Sequence, residues 1–180
     1  MFFEPSLTAS TKDQNQNSVL FVLLGASNLA RSFYGLKRCI KRCILPRPAD
    51  FVHAMGPGRG YVIRGGIFNV TYPPILNCGI LETVRNKRKK NQPIVALITD
   101  IGNDIMYGVS PEEIIAGLQH LLNAFDEFAT NIFITSIPIA LKNDIGEFYF
   151  RILRQIFFPK SPAEYSQTSK TIEIVNQFIL

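Results

Sequence analysis

The stretch Ile94-Val95-Ala96-Leu97-Ile98-Thr99-Asp100-Ile101-Gly102-Asn103-Asp104 decides the fold. It opens on five apolar residues without alternation, the pattern of a strand buried on both faces. A Gly-Asn-Asp turn follows directly. Placed at the carboxyl end of a buried strand, such a turn puts an amide side chain into the crevice where open α/β sheets hold ligands. An Asn there can donate a hydrogen bond to a developing oxyanion.

Upstream, Val19-Leu20-Phe21-Val22-Leu23-Leu24 is a second continuous apolar run, closed by Gly25, and it too reads as a fully buried strand. A helix is predicted from about Leu29 to Ile44, stopped by Pro46 and Pro48. Asp50 to Met55 reads as a short strand ended by Gly56-Pro57-Gly58-Arg59-Gly60. Ile75, Leu76, Ile80, Leu81 and Val84 then recur at helical spacing.

Downstream, Ser110-Pro111-Glu112-Glu113 combines a cap residue, a proline at the first helical position and a glutamate three after the cap. Ile114, Leu118, Leu121, Phe125 and Phe128 make one apolar stripe on the helix it opens. Asn131 to Ile137 reads as a fourth strand. Residues 148–158 and 168–180 read as helices separated by Pro159-Lys160-Ser161-Pro162. Strands alternating with helices at this spacing predict right-handed βαβ units and a three-layer α/β/α fold with a mostly parallel sheet. In a flavodoxin-like order, strand one lies between strands two and three, beside the switch point.

Composition sets bounds on this reading. A chain of 180 residues suffices for one domain with a full core, and 47% hydrophobic with 18% charged residues describes an ordered globular chain. Residues 1–17 are polar and expected to form a flexible tail; 18–180 form the domain. The net charge of +5 comes largely from Lys37-Arg38 with Lys41-Arg42 and from Lys87-Arg88-Lys89-Lys90. These runs read as solvated helix faces, and no nucleic-acid module accompanies them, so no nucleic-acid partner is expected. Cys39, Cys43 and Cys78 have no metal spacing and are expected to be reduced, buried thiols of a cytoplasmic protein. Met1 to Asn17 has no basic start followed by an apolar core, so no secretory signal is expected, and no apolar run reaches membrane-span length.

Three turns should converge at the switch point: Gly25-Ala26-Ser27-Asn28, Gly56-Pro57-Gly58-Arg59-Gly60 and Gly102-Asn103-Asp104. Ser27, just ahead of a helix, offers a hydroxyl and its own backbone N–H. Gly58 can bring a second N–H close to a substrate because no side chain intervenes, and Asn103 adds a third donor. A hydroxyl with three convergent donors fits acyl transfer through a tetrahedral intermediate. The competing readings are structural. Ser27 would then be a helix N-cap, Asp104 an Asx turn, Asp100 a capping or surface residue, and Arg59 and Arg64 solvated. The glycine cluster lacks dinucleotide spacing, and no phosphate loop is present.

At these turns the chain resembles the SGNH (GDSL-type) hydrolases. The serine block matches Gly25-Ala26-Ser27-Asn28. The glycine block matches Val52-His53-Ala54-Met55-Gly56-Pro57-Gly58, with Gly60 as the alternative oxyanion glycine. The asparagine block matches Ile101-Gly102-Asn103-Asp104. The resemblance spans roughly residues 18–180. It implies Ser27 as nucleophile, an oxyanion hole of the Ser27 N–H, Gly58 N–H and Asn103 side chain, a small-molecule ester as substrate, and no metal or organic cofactor.

Ala26 and Asn28 stand where that family usually has Asp and Leu. Its last block, the Asp-x-x-His that supplies the general base, has no match. The resemblance therefore implies a member cut short before its last strand, weak or inactive as an esterase. Loss of a triad histidine costs about a million-fold in turnover in a serine protease. His53, near the active end of strand two, is expected to be a hydrogen-bonded structural residue, with a substitute base as the alternative; His120 is expected to be peripheral. A non-catalytic ligand-binding module and a defective gene product are the alternatives.

Overall fold

A computed structural model describes residues 18–180 apart from 68 and 140; the expected tail at 1–17 lies outside the described residues. Four strands, β1 (Val19–Leu24), β2 (Ala49–Ala54), β3 (Ile94–Ile98) and β4 (Asn131–Ile134), form an all-parallel sheet in the order β2-β1-β3-β4. This is a three-layer α/β arrangement of flavodoxin-like order, as the alternation predicted. Its helices are α1 (Ser27–Cys43), α2 (Ile80–Lys87), α3 (Asn103–Met106), α4 (Pro111–Asp126), α5 (Leu141–Asp144), α6 (Glu147–Phe157) and α7 (Tyr165–Ile179).

The central strand explains its own composition. All six residues of β1 are buried, because each face of the strand meets a different helical layer. Val19, Phe21 and Leu23 pack with Leu29, Phe33, Leu36 and Ile40 of α1. Leu20, Val22 and Leu24 face the larger core, which α2, α4 and α7 close with Val84, Leu118, Phe125 and Val175. Phe125 is fully buried, and truncating such a side chain to alanine costs roughly 3–5 kcal/mol.

The register matters for function. Leu24 pairs with both Ala54 and Ile98, so β1, β2 and β3 end level, and the turns that follow them leave the sheet at one edge.

Local signals explain most boundaries. Ser110 and Glu113 form a reciprocal capping box ahead of Pro111, and Ile114, Leu118, Leu121 and Phe125 are the buried stripe of α4. Three boundaries differ from the sequence reading. Ser27 is the first residue of α1 rather than the residue before it. The apolar pattern at 75–84 is split into a short 3₁₀ turn, Ile75–Asn77, and α2, because Gly79 adopts φ +73° between them. β4 ends at Ile134, and Ile137 is held by α7 instead of a strand. The Asn176 amide accepts from the Ile137 N–H at 2.7 Å and donates to the Ile137 carbonyl at 2.9 Å.

The thiols also depart from expectation. Cys39 and Cys43 are free but exposed on α1, and Cys78 is only partly buried. Their helix turns its other face to the sheet, so the i, i+4 pair points outward. Its hydrogen bond to Cys39 is the main cause that raises the Cys43 thiol above its ordinary value. The basic runs are solvated as read: Arg38, Lys41, Arg42 and residues 87–90 are exposed, with Lys89 on Asp50 at 3.1 Å. Among the described residues, no helix is long and apolar enough to cross a membrane.

Candidate active site

The turn after β3 organises the carboxyl edge of the sheet. Asp100 adopts φ +59°, a left-handed conformation that Asp tolerates better than most residues, and this turns its carboxylate toward the start of α1. Oδ2 accepts from the Ala26 and Leu29 N–H groups, each at 3.0 Å, while Oδ1 accepts from Asn28 Nδ2 at 2.9 Å. Helix α1 has Ala26 at its N-cap, which offers no side chain for capping. A carboxylate from another element therefore caps it, satisfying donors that a local Ser or Asp usually takes. It also adds a negative charge at the positive end of the helix dipole.

This arrangement changes the reading of Ser27. Ser27 is the first residue of α1 and not its N-cap, is half-buried, and borders a cavity of about 680 Å³. Among the described residues, the Ser27 N–H has no acceptor. Asn103 borders the same cavity, as do Asp100, Thr99, Thr135 and Ser136. The Asn103 amide donates to the Arg59 carbonyl at 3.0 Å, and its remaining N–H is free for a second acceptor.

Gly58 is buried and does not border that cavity. It has φ +70°, and a Cβ there would come within 2.8 Å of the Gly66 backbone. Its carbonyl accepts from the Tyr107 hydroxyl at 2.7 Å, which places it in the packed loop behind Asn103. Gly60 is equally constrained: a Cβ would stand 2.6 Å from Asp104 Oδ1.

Asp104 is not an Asx turn. It is fully buried and binds residues far along the chain. Oδ2 accepts from the Tyr61 N–H at 2.7 Å; Oδ1 accepts from Val62 at 3.0 Å and Ile63 at 3.1 Å. Burial pushes its carboxyl above the ordinary value, against the downward pull of those N–H groups. Arg59 is buried rather than solvated, donating through Nε to the Pro73 carbonyl at 3.1 Å and lying over the Tyr72 ring, whereas Arg64 is exposed.

Two tyrosines that the sequence reading passed over tie the turns together. The fully buried Tyr61 shares its hydroxyl between the Thr99 carbonyl at 2.7 Å and the Leu24 carbonyl at 2.9 Å, bridging the ends of β3 and β1. Burial raises its phenol well above the usual range. Tyr107 binds Gly58 and accepts from the Gly66 N–H at 2.9 Å. Their only signal in the sequence is a large polar-tipped aromatic close to a glycine cluster, a pattern too common to assign.

Neither histidine borders the cavity. His53 is exposed on the α1 face of β2, its ring 4.8 Å from Phe33, and partial desolvation there, followed by the charges of Lys37 and Lys87, lowers its pKa. His120 is exposed on α4. A second hollow, of about 820 Å³, lies between α6 and the start of α7 and contains none of the turn residues. No protein-family description matches this chain, and no curated protein matches it.

Proposed function

We propose that the chain is built as a serine ester hydrolase of SGNH type that acts through an acyl-Ser27 intermediate. The observation that carries this reading is the shared cavity: Ser27 and Asn103 border one hollow at the level edge of the sheet. In the reaction, Ser27 Oγ attacks the ester carbonyl and its proton passes to the departing alcohol. The oxyanion is held by the Ser27 N–H and the second N–H of the Asn103 amide. Water then cleaves the acyl-enzyme and restores the hydroxyl. Gly58 enters this scheme only through the loop whose Arg59 carbonyl holds Asn103, because it does not border the cavity.

The weak step is proton removal. A serine hydroxyl is a poor nucleophile at neutral pH without an adjacent base. Asp100 borders the cavity, but its oxygens already accept three hydrogen bonds. This polypeptide therefore acylates slowly and turns over little. The lack of a histidine at the cavity wall favours one second reading, a ligand-binding module that retains the crevice without the chemistry.

Labelling with an alkyl fluorophosphonate tests the proposal, because that reagent needs a nucleophile and an oxyanion site but no deacylation. Peptide mass mapping should place the adduct on Ser27, and Ser27→Ala should remove it. An adduct elsewhere, or none under forcing conditions, ends the hydrolase reading. Rapid steady-state cleavage of a chromogenic acetate ester, lost in Ser27→Ala, would refute the slow-turnover part alone.

A further inference from the structure

The sheet has a second edge, opposite the one that carries Ser27, where its strands begin. The Val19 N–H donates to the Pro48 carbonyl and the Leu20 N–H to the Pro93 carbonyl, each at 2.9 Å. β2 and β3 therefore start on either side of β1 at nearly one level, and the loops that precede them emerge side by side. Each of those loops follows a helix that ends on basic residues. Lys41, Arg42 and Arg47 surround the first loop, Arg85 and the run 87–90 surround the second, and all are exposed. Two runs distant in sequence thus become one patch.

Part of this charge complements the helix dipoles. A helix C-terminus carries only about half a negative charge, however, and these two ends hold eight basic residues. Acidic neighbours do not make up the difference. Asp50 holds Lys89 at 3.1 Å and Glu127 holds Arg85 at 3.2 Å. Asp126, where α4 ends, is the third carboxylate, since the Thr130 N–H that follows it donates to the Ile94 carbonyl at the start of β3. Eight basic against three acidic residues leaves an excess equal to the whole formal net charge of +5.

The other side chains at this edge narrow the partner. Leu45, 72% exposed, stands in the first loop between Arg42 and Arg47. Neither 38–48 nor 85–93 contains an aromatic residue, so the loops offer no ring on which a nucleic-acid base could stack. A cluster of Lys and Arg around an exposed apolar side chain suits an anionic bilayer, whose headgroups meet the charges while the apolar side chain reaches below them.

We infer that this edge docks the protein on an anionic membrane surface, with Leu45 entering the headgroup layer. The six residues of β1 separate the two edges by about 20 Å. Docking in this way holds the Ser27 cavity off the bilayer, so on the hydrolase reading the ester arrives from solution and not from the lipid.

Sedimentation of the 180-residue chain with phosphatidylcholine vesicles, with and without about one-third phosphatidylserine, tests this at about 0.1 M and about 0.5 M salt. The chain should pellet with the anionic vesicles only, and high salt should release it. One Lys or Arg near such a surface strengthens binding about fivefold. Arg42→Gln, Arg47→Gln, Lys87→Gln and Lys90→Gln together should therefore weaken it by at least about a hundredfold, and Leu45→Ser alone by roughly tenfold. A control with the same loss of charge elsewhere, Arg64→Gln, Arg151→Gln, Lys160→Gln and Lys170→Gln, should stay within about fivefold of the parent, because charges beyond about 10 Å are screened. All substituted positions are exposed, and the variants should melt with the parent. Equal binding to neutral and anionic vesicles, no binding to either, undiminished binding of Leu45→Ser, or an equal loss in the control overturns the inference. Oligothymidylate bound at a salt concentration that releases the anionic vesicles would assign the edge to nucleic acid and overturn it too. Pelleting does not involve Ser27, so its failure would leave the hydrolase reading standing, and a chain that pellets without Ser27 labelling would remove that reading alone.

Discussion

Asp104 is wholly buried and gathers the N–H groups of residues 61–63, while Asp100, in the same turn, borders the cavity and gathers those of Ala26 and Leu29. Both carboxylates make bonds that cross the chain, Asp104 to a loop and Asp100 to the start of a helix. Their surroundings give those bonds different consequences. Around Asp104 no water can take over a broken bond, so the loop after the glycine cluster depends on that carboxylate. Around Asp100 the Asn28 contact is exposed, and solvent can replace part of what the side chain does. Fold stability thus hangs more on Asp104, and the placement of Ser27 more on Asp100.

Asp104→Ala should show the largest effect. It leaves three N–H groups without an acceptor, at about 1–3 kcal/mol for each one that stays dry. A loss of at least about 3 kcal/mol, or a melting temperature lower by roughly 6–12 °C, is expected in thermal or urea unfolding. A loss under about 1 kcal/mol would show that the loop holds itself. Asp100→Ala comes next, with a cost of about 0.5–2 kcal/mol, the range of a lost N-cap. Its distinctive outcome is slower fluorophosphonate labelling of Ser27 beyond what the melt explains. If both variants lose equal stability and label at the parent's rate, the contrast between the two carboxylates is gone.

Asn103→Ala sharpens the same contrast from the other side. Losing one bond to the Arg59 carbonyl should cost only about 0.5–1.5 kcal/mol. Removing an oxyanion donor should slow labelling by about 10²-fold or more. A labelling rate that falls no further than the stability change predicts would reduce Asn103 to a structural strut.

Legibility in the sequence followed the range of the interaction. β1 and β3 were readable because burial on both faces leaves only apolar residues, and α4 because its capping box is local. The polar turns were readable because the register of a parallel sheet brings them to one edge. The cap on α1 was readable only as one of the alternatives for Asp100, because the carboxylate comes from β3's turn and Ala26 carries no trace of it. The place of Gly58 behind Asn103 was hidden for the same reason: Tyr107, not the glycine motif, holds it there. The end of β4 was misjudged because Asn176, from α7, takes over at Ile137.

His53 supplies the smallest effect and separates the two faces of the sheet. Partial desolvation of this exposed ring, then Lys37 and Lys87, lowers its pKa, so the fold favours the neutral ring. A lowered folded pKa means that this contribution is fully present above the unfolded value of about 6.5 and is lost as pH falls through the folded one. The parent's melting temperature should therefore dip slightly more than that of His53→Gln as pH drops from about 7 to about 5. Asp50, at the far end of the same strand, titrates in a lower window. Burial raises its pKa, but hydrogen bonds from Lys89 and Gln92 outweigh that and lower it overall. Its contribution is present above the unfolded value of about 3.9 and disappears only as pH falls below that. Because His53 packs on Phe33 and does not border the cavity, Ser27 labelling should respond identically to pH in the parent and in His53→Gln. A labelling step near the histidine's titration, present in the parent and absent in the variant, would make the ring a base acting from the wrong face of the sheet, and the division between a structural face and a reactive edge would fail.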